Sequence, residues 1–119
     1  MARFISIMNH NMGGQQLLAA QKIGEVLETP FPNVSPYATS EEVAKMGDEL
    51  ISQISPSTGD IIQIAGEPTL TCYVVSQLKK LGHTVVTSTT ERVSKEEVLP
   101  DGSTKKTNVF KFIQFREFF

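Results

Sequence analysis

Three short stretches carry side chains suited to chemistry on a phosphate. The first is Asn9-His10-Asn11, directly after the apolar run Phe4-Ile5-Ser6-Ile7-Met8. Short polar side chains there can hydrogen-bond a base, a ribose or a phosphate, and asparagine serves equally in turns and helix caps. The second is Ala65-Gly66-Glu67-Pro68-Thr69, with Thr71 two residues on. It joins a β-branched run to an apolar helical pattern, and the free N–H groups at a helix start attract anions. In the plainer alternative Gly66 only makes the turn and Thr69 only caps the helix. The third is Ser88-Thr89-Thr90-Glu91-Arg92. Hydroxyls and a guanidinium suit a phosphate, though an exposed β-rich edge has the same composition.

Each stretch stands where a strand is expected to end. Residues Ala2 to Met8 are apolar except at Ser6, as in a parallel strand covered on both faces. The spacing of Leu17, Leu18, Ile23, Val26 and Leu27 predicts a helix from Gln15 to Leu27. Pro30, Pro32 and Pro36 then interrupt regular structure, leaving a short strand or a compact loop around Phe31, Val34 and Tyr37. A second helix is expected from Glu41 to about Ile54, capped by Thr39 or Ser40; Ser40 with Val43 makes no capping box. The strand from Asp60 follows, then a helix closed by Gly82. His83 to Thr90 reads as a third parallel strand, with His83 at the edge away from the loops. A hairpin ends the chain: Val93 to Leu99, a turn at Pro100-Asp101-Gly102-Ser103, and a return over Thr107 to Phe119. Lys95, Lys105, Lys106 and Lys111 read as a solvated face or edge protection. The phenylalanines read as burying against the sheet or a partner rather than stacking on bases. Ligands of open α/β sheets sit outside the carboxyl ends of the strands, so the three stretches should converge on one edge.

A chain of 119 residues suffices for one domain around one core. Its 39% hydrophobic and 20% charged content is that of a soluble globular protein. No apolar run reaches the roughly 20 residues of a membrane span, and the N-terminus reads as a strand rather than a signal peptide. The single Cys72 excludes an intrachain disulfide and fits a reducing cytosol. His10 and His83 are the only histidines, so no His/Cys cluster has metal-ligand spacing. A net charge of −2 argues against a general nucleic-acid binder. Residues 1–60 carry three bases against seven acids, and residues 61–119 eight bases against six. A small anion could therefore be held locally in the second half.

A short apolar strand ends in Asn9-His10, and a Gly66-Glu67 turn leads to Thr71 in a helix. Ser88-Thr89-Thr90-Glu91-Arg92 comes next, then a hairpin turn at Asp101-Gly102 and a closing Val109-Phe110-Lys111-Phe112-Ile113-Gln114-Phe115-Arg116. In this order they resemble the small stand-alone ring nucleases of type III CRISPR systems, the Csx group of short Rossmann-like proteins related to CARF domains. The chain departs from that pattern at Ala65 and Thr69, where the family often has Gln and a second Gly, and at Phe112, where a His is common.

The resemblance implies an α/β fold: a Rossmann-like (CARF-like) three-layer sandwich with a mainly parallel central sheet and a C-terminal β-hairpin, in one domain. It implies cleavage of cyclic oligoadenylate, cyclic tetra-adenylate foremost, with no metal or cofactor. The ribose 2′-hydroxyl attacks the neighbouring phosphate and leaves a linear product with a 2′,3′-cyclic phosphate, switching off type III CRISPR signalling in the cytoplasm. The ring would lie at the two-fold interface of a homodimer, with no membrane and no long nucleic acid as partner. On this resemblance His10, Glu91 and Arg92 are the catalytic candidates: His10 or Glu91 for proton transfer, Arg92 with Thr90 and the backbone N–H groups near Gly66 for phosphorane charge. Asn9, Asn11, Gly66, Glu67, Thr69, Thr71, Thr89 and Thr90 are the ligand-binding candidates. Two other readings stand beside it. One is a sensor or sponge that holds the ring uncut; the other is a plain α/β protein whose Phe-rich hairpin mediates dimerisation.

Overall fold

Alternation along the strands divides the apolar residues between two faces of one sheet. In the computed structural model, which describes residues 2–119, the elements are β1 (Arg3–Ile7), α1 (Gly14–Ile23), β2 (Glu25–Thr29), α2 (Ser40–Ile54), β3 (Ile61–Ile64), α3 (Pro68–Lys80), β4 (Thr84–Val98) and β5 (Thr104–Glu117). The strand order is β2-β1-β3-β4-β5. The first four strands are parallel and β5 runs antiparallel to β4. Ile5, Ile7, Ile62, Ile64 and Val85 pack with Leu50 of α2 and Leu70, Val74 and Leu78 of α3. Phe4, Met8 and Val86 pack on the other face with Ala20 of α1. The result is three layers, with α2 and α3 on one side and α1 on the other. The chain leaves β1 toward β2 and leaves β3 toward β4, so the sheet's topological switch lies between β1 and β3. Those two strands end level, Ile7 opposite Ile64.

The helix expected to reach Leu27 stops at Ile23, and Glu25–Thr29 form the edge strand β2. Gly24 is the hinge. A side chain there would collide with the Ala2 carbonyl, so only glycine lets β2 start beside β1. Ile23, Val26 and Leu27 satisfy a helical period in sequence, yet Val26 and Leu27 belong to the strand. The next helix carries the capping box that Ser40 could not provide. Thr39 Oγ1 accepts from the Glu42 N–H at 3.1 Å, and Glu42 Oε1 accepts from the Thr39 N–H at 3.2 Å.

The expected third strand and the first arm of the hairpin are one continuous 15-residue strand. Its pairing with β3 ends at Val86, opposite Gln63. Beyond that level β4 has only β5 for company, and the two rise together as a two-stranded arm. A bulge falls where Thr89 pairs Gln114 and Thr90 pairs Phe112, leaving Ile113 as the extra residue. Opposite charges then face each other across the ribbon at Glu91/Lys111, Glu96/Lys106 and Glu97/Lys105, which favours this register. Overall dimensions of 57 × 39 × 22 Å reflect the projecting arm. Among the described residues no helix is long and apolar enough to cross a membrane.

At the opposite end of the sheet a buried carboxylate ties β1 to β3. Asp60 accepts from the Arg3 N–H at 3.0 Å, Arg3 Nε at 3.2 Å, Arg3 Nη2 at 2.7 Å and the Ser57 N–H at 2.8 Å. Burial pushes the Asp60 carboxyl up. The hydrogen bonds from the Arg3 side chain, Ser57 and the Arg3 backbone, with the guanidinium charge, outweigh it and hold the group below its usual range.

Candidate functional site

Helix α1 begins immediately beyond the crest of β1, and its N-terminus has no side-chain cap. Gly13 occupies the N-cap position, no acid lies in the first turn, and Gly14 takes a φ of 53° that favours glycine. The preceding N–H, of Met12, is bound by the Glu28 carboxylate at 3.3 Å. The helix start therefore keeps its own N–H groups and the positive end of its dipole free of a side-chain cap, with the Glu28 carboxylate bound one residue before it.

The arm rises across from it. Thr90, Val93 and Lys95 of β4 and Val109, Phe110, Lys111 and Phe112 of β5 face Gly13–Gln16 over a cleft of about 710 Å³. That size suits a nucleotide-scale ligand. Lys95 and Lys111 add positive charge to the helix end. Phe110 is 68% exposed, a ring available for base stacking. Phe112 is tied inward: its ring lies 5.0 Å from that of Phe115, which lies 4.8 Å from that of the fully buried Phe4. A ladder of rings thus anchors the cleft wall to the core.

The floor of the cleft is polar and wired into the sheet. Gln16 Nε2 donates to Gln63 Oε1 at 3.0 Å, and Gln63 is completely buried in β3. Gln63 Nε2 in turn donates to Ser6 Oγ at 2.9 Å and approaches Met8 Sδ at 3.3 Å and Met12 Sδ at 3.5 Å.

The three sequence stretches fare differently. Asn9, His10 and Asn11 are exposed in the loop that leads from β1 into the cleft wall. Thr90 is in the wall itself, and exposed Glu91 and Arg92 lie between the wall residues Thr90 and Val93. Thr89 is engaged at the bulge, its hydroxyl donating to the Gln114 carbonyl at 3.1 Å. The Gly66 stretch goes elsewhere. A Cβ on Gly66 would lie 2.5 Å from the ring of Phe31, so the 30–39 loop packs directly on this turn. Glu67, not Thr69, is the N-cap of α3. Its carboxylate accepts from the Leu70 N–H at 2.8 Å, the Thr69 hydroxyl at 2.7 Å and the Thr69 N–H at 3.0 Å. Those contacts, the Leu70 N–H foremost, hold the Glu67 carboxyl below its ordinary value. The carboxylate therefore occupies the N–H groups that the sequence seemed to offer to a phosphate. Thr69 also borders a small hollow with Tyr73. Thr71 faces a separate groove of about 720 Å³ lined by Val75, Phe118 and Phe119. Its hydroxyl is buried without a partner among the described residues. β1 and β3 end side by side, but β4 runs on past them to Val98, and of the three stretches only Thr90 lines the cleft.

Sequence reasoning passed over Gly13, Gly14 and Gln16 as site residues, and it read Lys95 and Lys111 as surface charge and the phenylalanines, Phe110 and Phe112 among them, as burying rather than stacking on bases. One signal was available: a glycine pair in the place where Ser, Thr or Asp would cap a helix. The lysines and phenylalanines gave none, because each was consistent with an ordinary hairpin surface.

Residues 2–116 match the family described as the uncharacterized protein MJ1673 family. The chain belongs to the MJ1673 family. The MJ1673 family match runs through the sheet body and the arm alike, so the cleft between them lies within the matched unit. No curated protein and no solved structure matches the chain.

Proposed function

We propose that this protein is a metal-independent ring nuclease. It would cleave cyclic oligoadenylate, cyclic tetra-adenylate foremost, and so switch off type III CRISPR signalling. The observation that supports the reading is the cleft, with an uncapped helix N-terminus, Thr90, two lysines and aromatic rings in one wall system. Phosphates suit the helix end and the lysines; adenines suit Phe110 and Phe112. In this reading two copies meet about a two-fold axis and each cleft takes half of the ring. The arm favours a second copy: a two-stranded ribbon is marginal alone in water, and Val98, Val109, Phe110 and Ile113 are exposed on it.

The chemistry is displacement at phosphorus. The 2′-hydroxyl oxygen bonds to the adjacent phosphorus, and the bond from phosphorus to the 5′-oxygen breaks. The hydroxyl proton passes to His10 or Glu91, and the departing 5′-oxygen takes a proton from the other of the two, leaving as a neutral 5′-hydroxyl. Arg92 and Thr90 stabilise the charge on the phosphorane oxygens, and the cleft aligns the attacking oxygen. Purified protein incubated with cyclic tetra-adenylate in EDTA should give the linear product on chromatography, and Arg92→Ala should abolish it. An intact ring after long incubation with wild-type protein refutes the nuclease reading.

A specific observation favours a second reading, a sensor or sponge. Among the described residues the cleft wall carries lysines but no histidine or carboxylate, since His10 and Glu91 lie outside it. A sponge would return the ring unchanged after the complex is denatured.

A further inference from the structure

We infer that Gln16 is a specificity-determining residue that reads the exocyclic amine of adenine through a fixed side-chain acceptor. The inference rests on the cyclic-oligoadenylate reading of the cleft. An amide side chain can present either its oxygen or its NH2, and the two rotamers differ by a simple flip. Here the buried neighbours decide which is presented.

The decision starts at two sulfurs. Met8 and Met12 are buried, and their thioether sulfurs only accept hydrogen bonds. Both lie on the same side of the Gln63 amide as Ser6 Oγ, at 3.3 and 3.5 Å from its nitrogen. Turning that amide over would let the Ser6 hydroxyl donate to the oxygen, but it would set that oxygen against two sulfur acceptors and forfeit both N–H···S contacts. Gln63 Nε2 therefore points at the sulfurs and Ser6, and Gln63 Oε1 points at Gln16. An oxygen accepts only, so Gln16 must offer it Nε2, as it does at 3.0 Å. The remaining atom, Gln16 Oε1, is then held as an acceptor at the wall of the cleft.

A held acceptor selects for a donor. Adenine carries an NH2 at its 6-position; the matching position of hypoxanthine is a carbonyl oxygen. A ligand carbonyl against Gln16 Oε1 sets acceptor against acceptor, and Gln16 cannot flip without breaking its bond to Gln63. Sites built to pair one polar group reject the mismatched analogue for this reason.

The test is titration calorimetry of the full chain with cyclic tetra-adenylate and with cyclic tetra-inosinate. Wild-type protein should prefer the adenine ring by about tenfold or more, the ratio expected for one mispaired acceptor. Gln16→Met, on a half-buried position, should bring the two rings to nearly equal affinity, because a thioether sulfur is only a weak acceptor. Gln63→Leu, which keeps Gln16 but removes what orients it, should do the same. In the ligand-free protein, the side-chain amide protons of Gln63 should show NOEs to the Met8 and Met12 methyl groups. Rings that bind wild type without discrimination, or discrimination that survives Gln16→Met, overturn the role of Gln16 and leave the ring reading standing. Gln63 amide protons that contact Gln16 instead of the methionines overturn the orientation. Failure of both rings to bind wild type removes the ring reading and this inference with it.

Discussion

Replacing Asp60 by alanine tests how the bottom of the sheet is held together. The substitution removes the acceptor of four hydrogen bonds: two from backbone N–H groups and two from the Arg3 guanidinium. The Arg3 side chain is 27% exposed and its guanidinium keeps the Ser55 carbonyl at 3.2 Å, so water and that carbonyl recover part of its loss. The two N–H groups account for most of the cost, at roughly 1 to 1.5 kcal/mol each. With a remainder from the ion pair, the total is about 3 kcal/mol. The unfolding entropy of about 2.1 cal/mol/K per residue turns this into a drop of roughly 12 °C for 119 residues. Urea denaturation and calorimetry would measure both. The pH dependence gives a second check. The folded carboxyl lies below its ordinary 3.8, so its contribution is complete above the unfolded pKa and is lost as pH falls through the folded one. The gap between wild type and Asp60→Ala should therefore be constant above about pH 5 and close in stronger acid. A gap below about 1 kcal/mol at neutral pH, or one that widens in acid, would refute the assignment of Asp60 as the tie.

Three further outcomes follow from contacts already described. Gly66→Ala should destabilise by about 1 to 3 kcal/mol because its methyl meets the Phe31 ring, and Phe31→Leu in the same chain should recover much of that in urea melts. Glu67→Ala should lower the melting temperature without changing ring binding below it, since Glu67 caps α3; the loss should fade as pH falls through the depressed Glu67 pKa. Arm amides of residues 92–98 and 104–110 should exchange with solvent faster than those of Ile62 and Leu78, and should slow as protein concentration rises. Arm exchange that ignores concentration would argue against coverage by a second copy.

The sequence announced most elements because their signals are local. The β-branched run at Ile61-Ile62 and the stripe from Val43 to Ile54 each find their expected state. What stayed hidden depends on neighbours distant in sequence. β2 is a strand because Gly24 lets it lie against β1, while its apolar spacing equally satisfies a helix. β4 continues past Thr90 because β5 pairs it, although the hydroxyl-rich block looks like a strand end. At the site, Thr90 was legible as a wall residue, though it was read as a strand end and stands in mid-strand. The role of Glu67 was not, since a carboxylate before Pro68 can as well face a ligand as turn back on its own helix. Lys95 and Lys111 acquire meaning only when the arm is seen standing over α1.

Phe31 has a consequence for where this sheet can receive anything at all. Sheets of this strand order commonly offer a berth between the two crests at which the chain reverses its direction of travel. Here an aromatic ring from the proline-rich loop fills part of that berth from within, seated on Gly66. A cleft stays open on the other layer, between the start of α1 and the arm. Trimming the ring to alanine should leave space over Gly66 without touching that cleft.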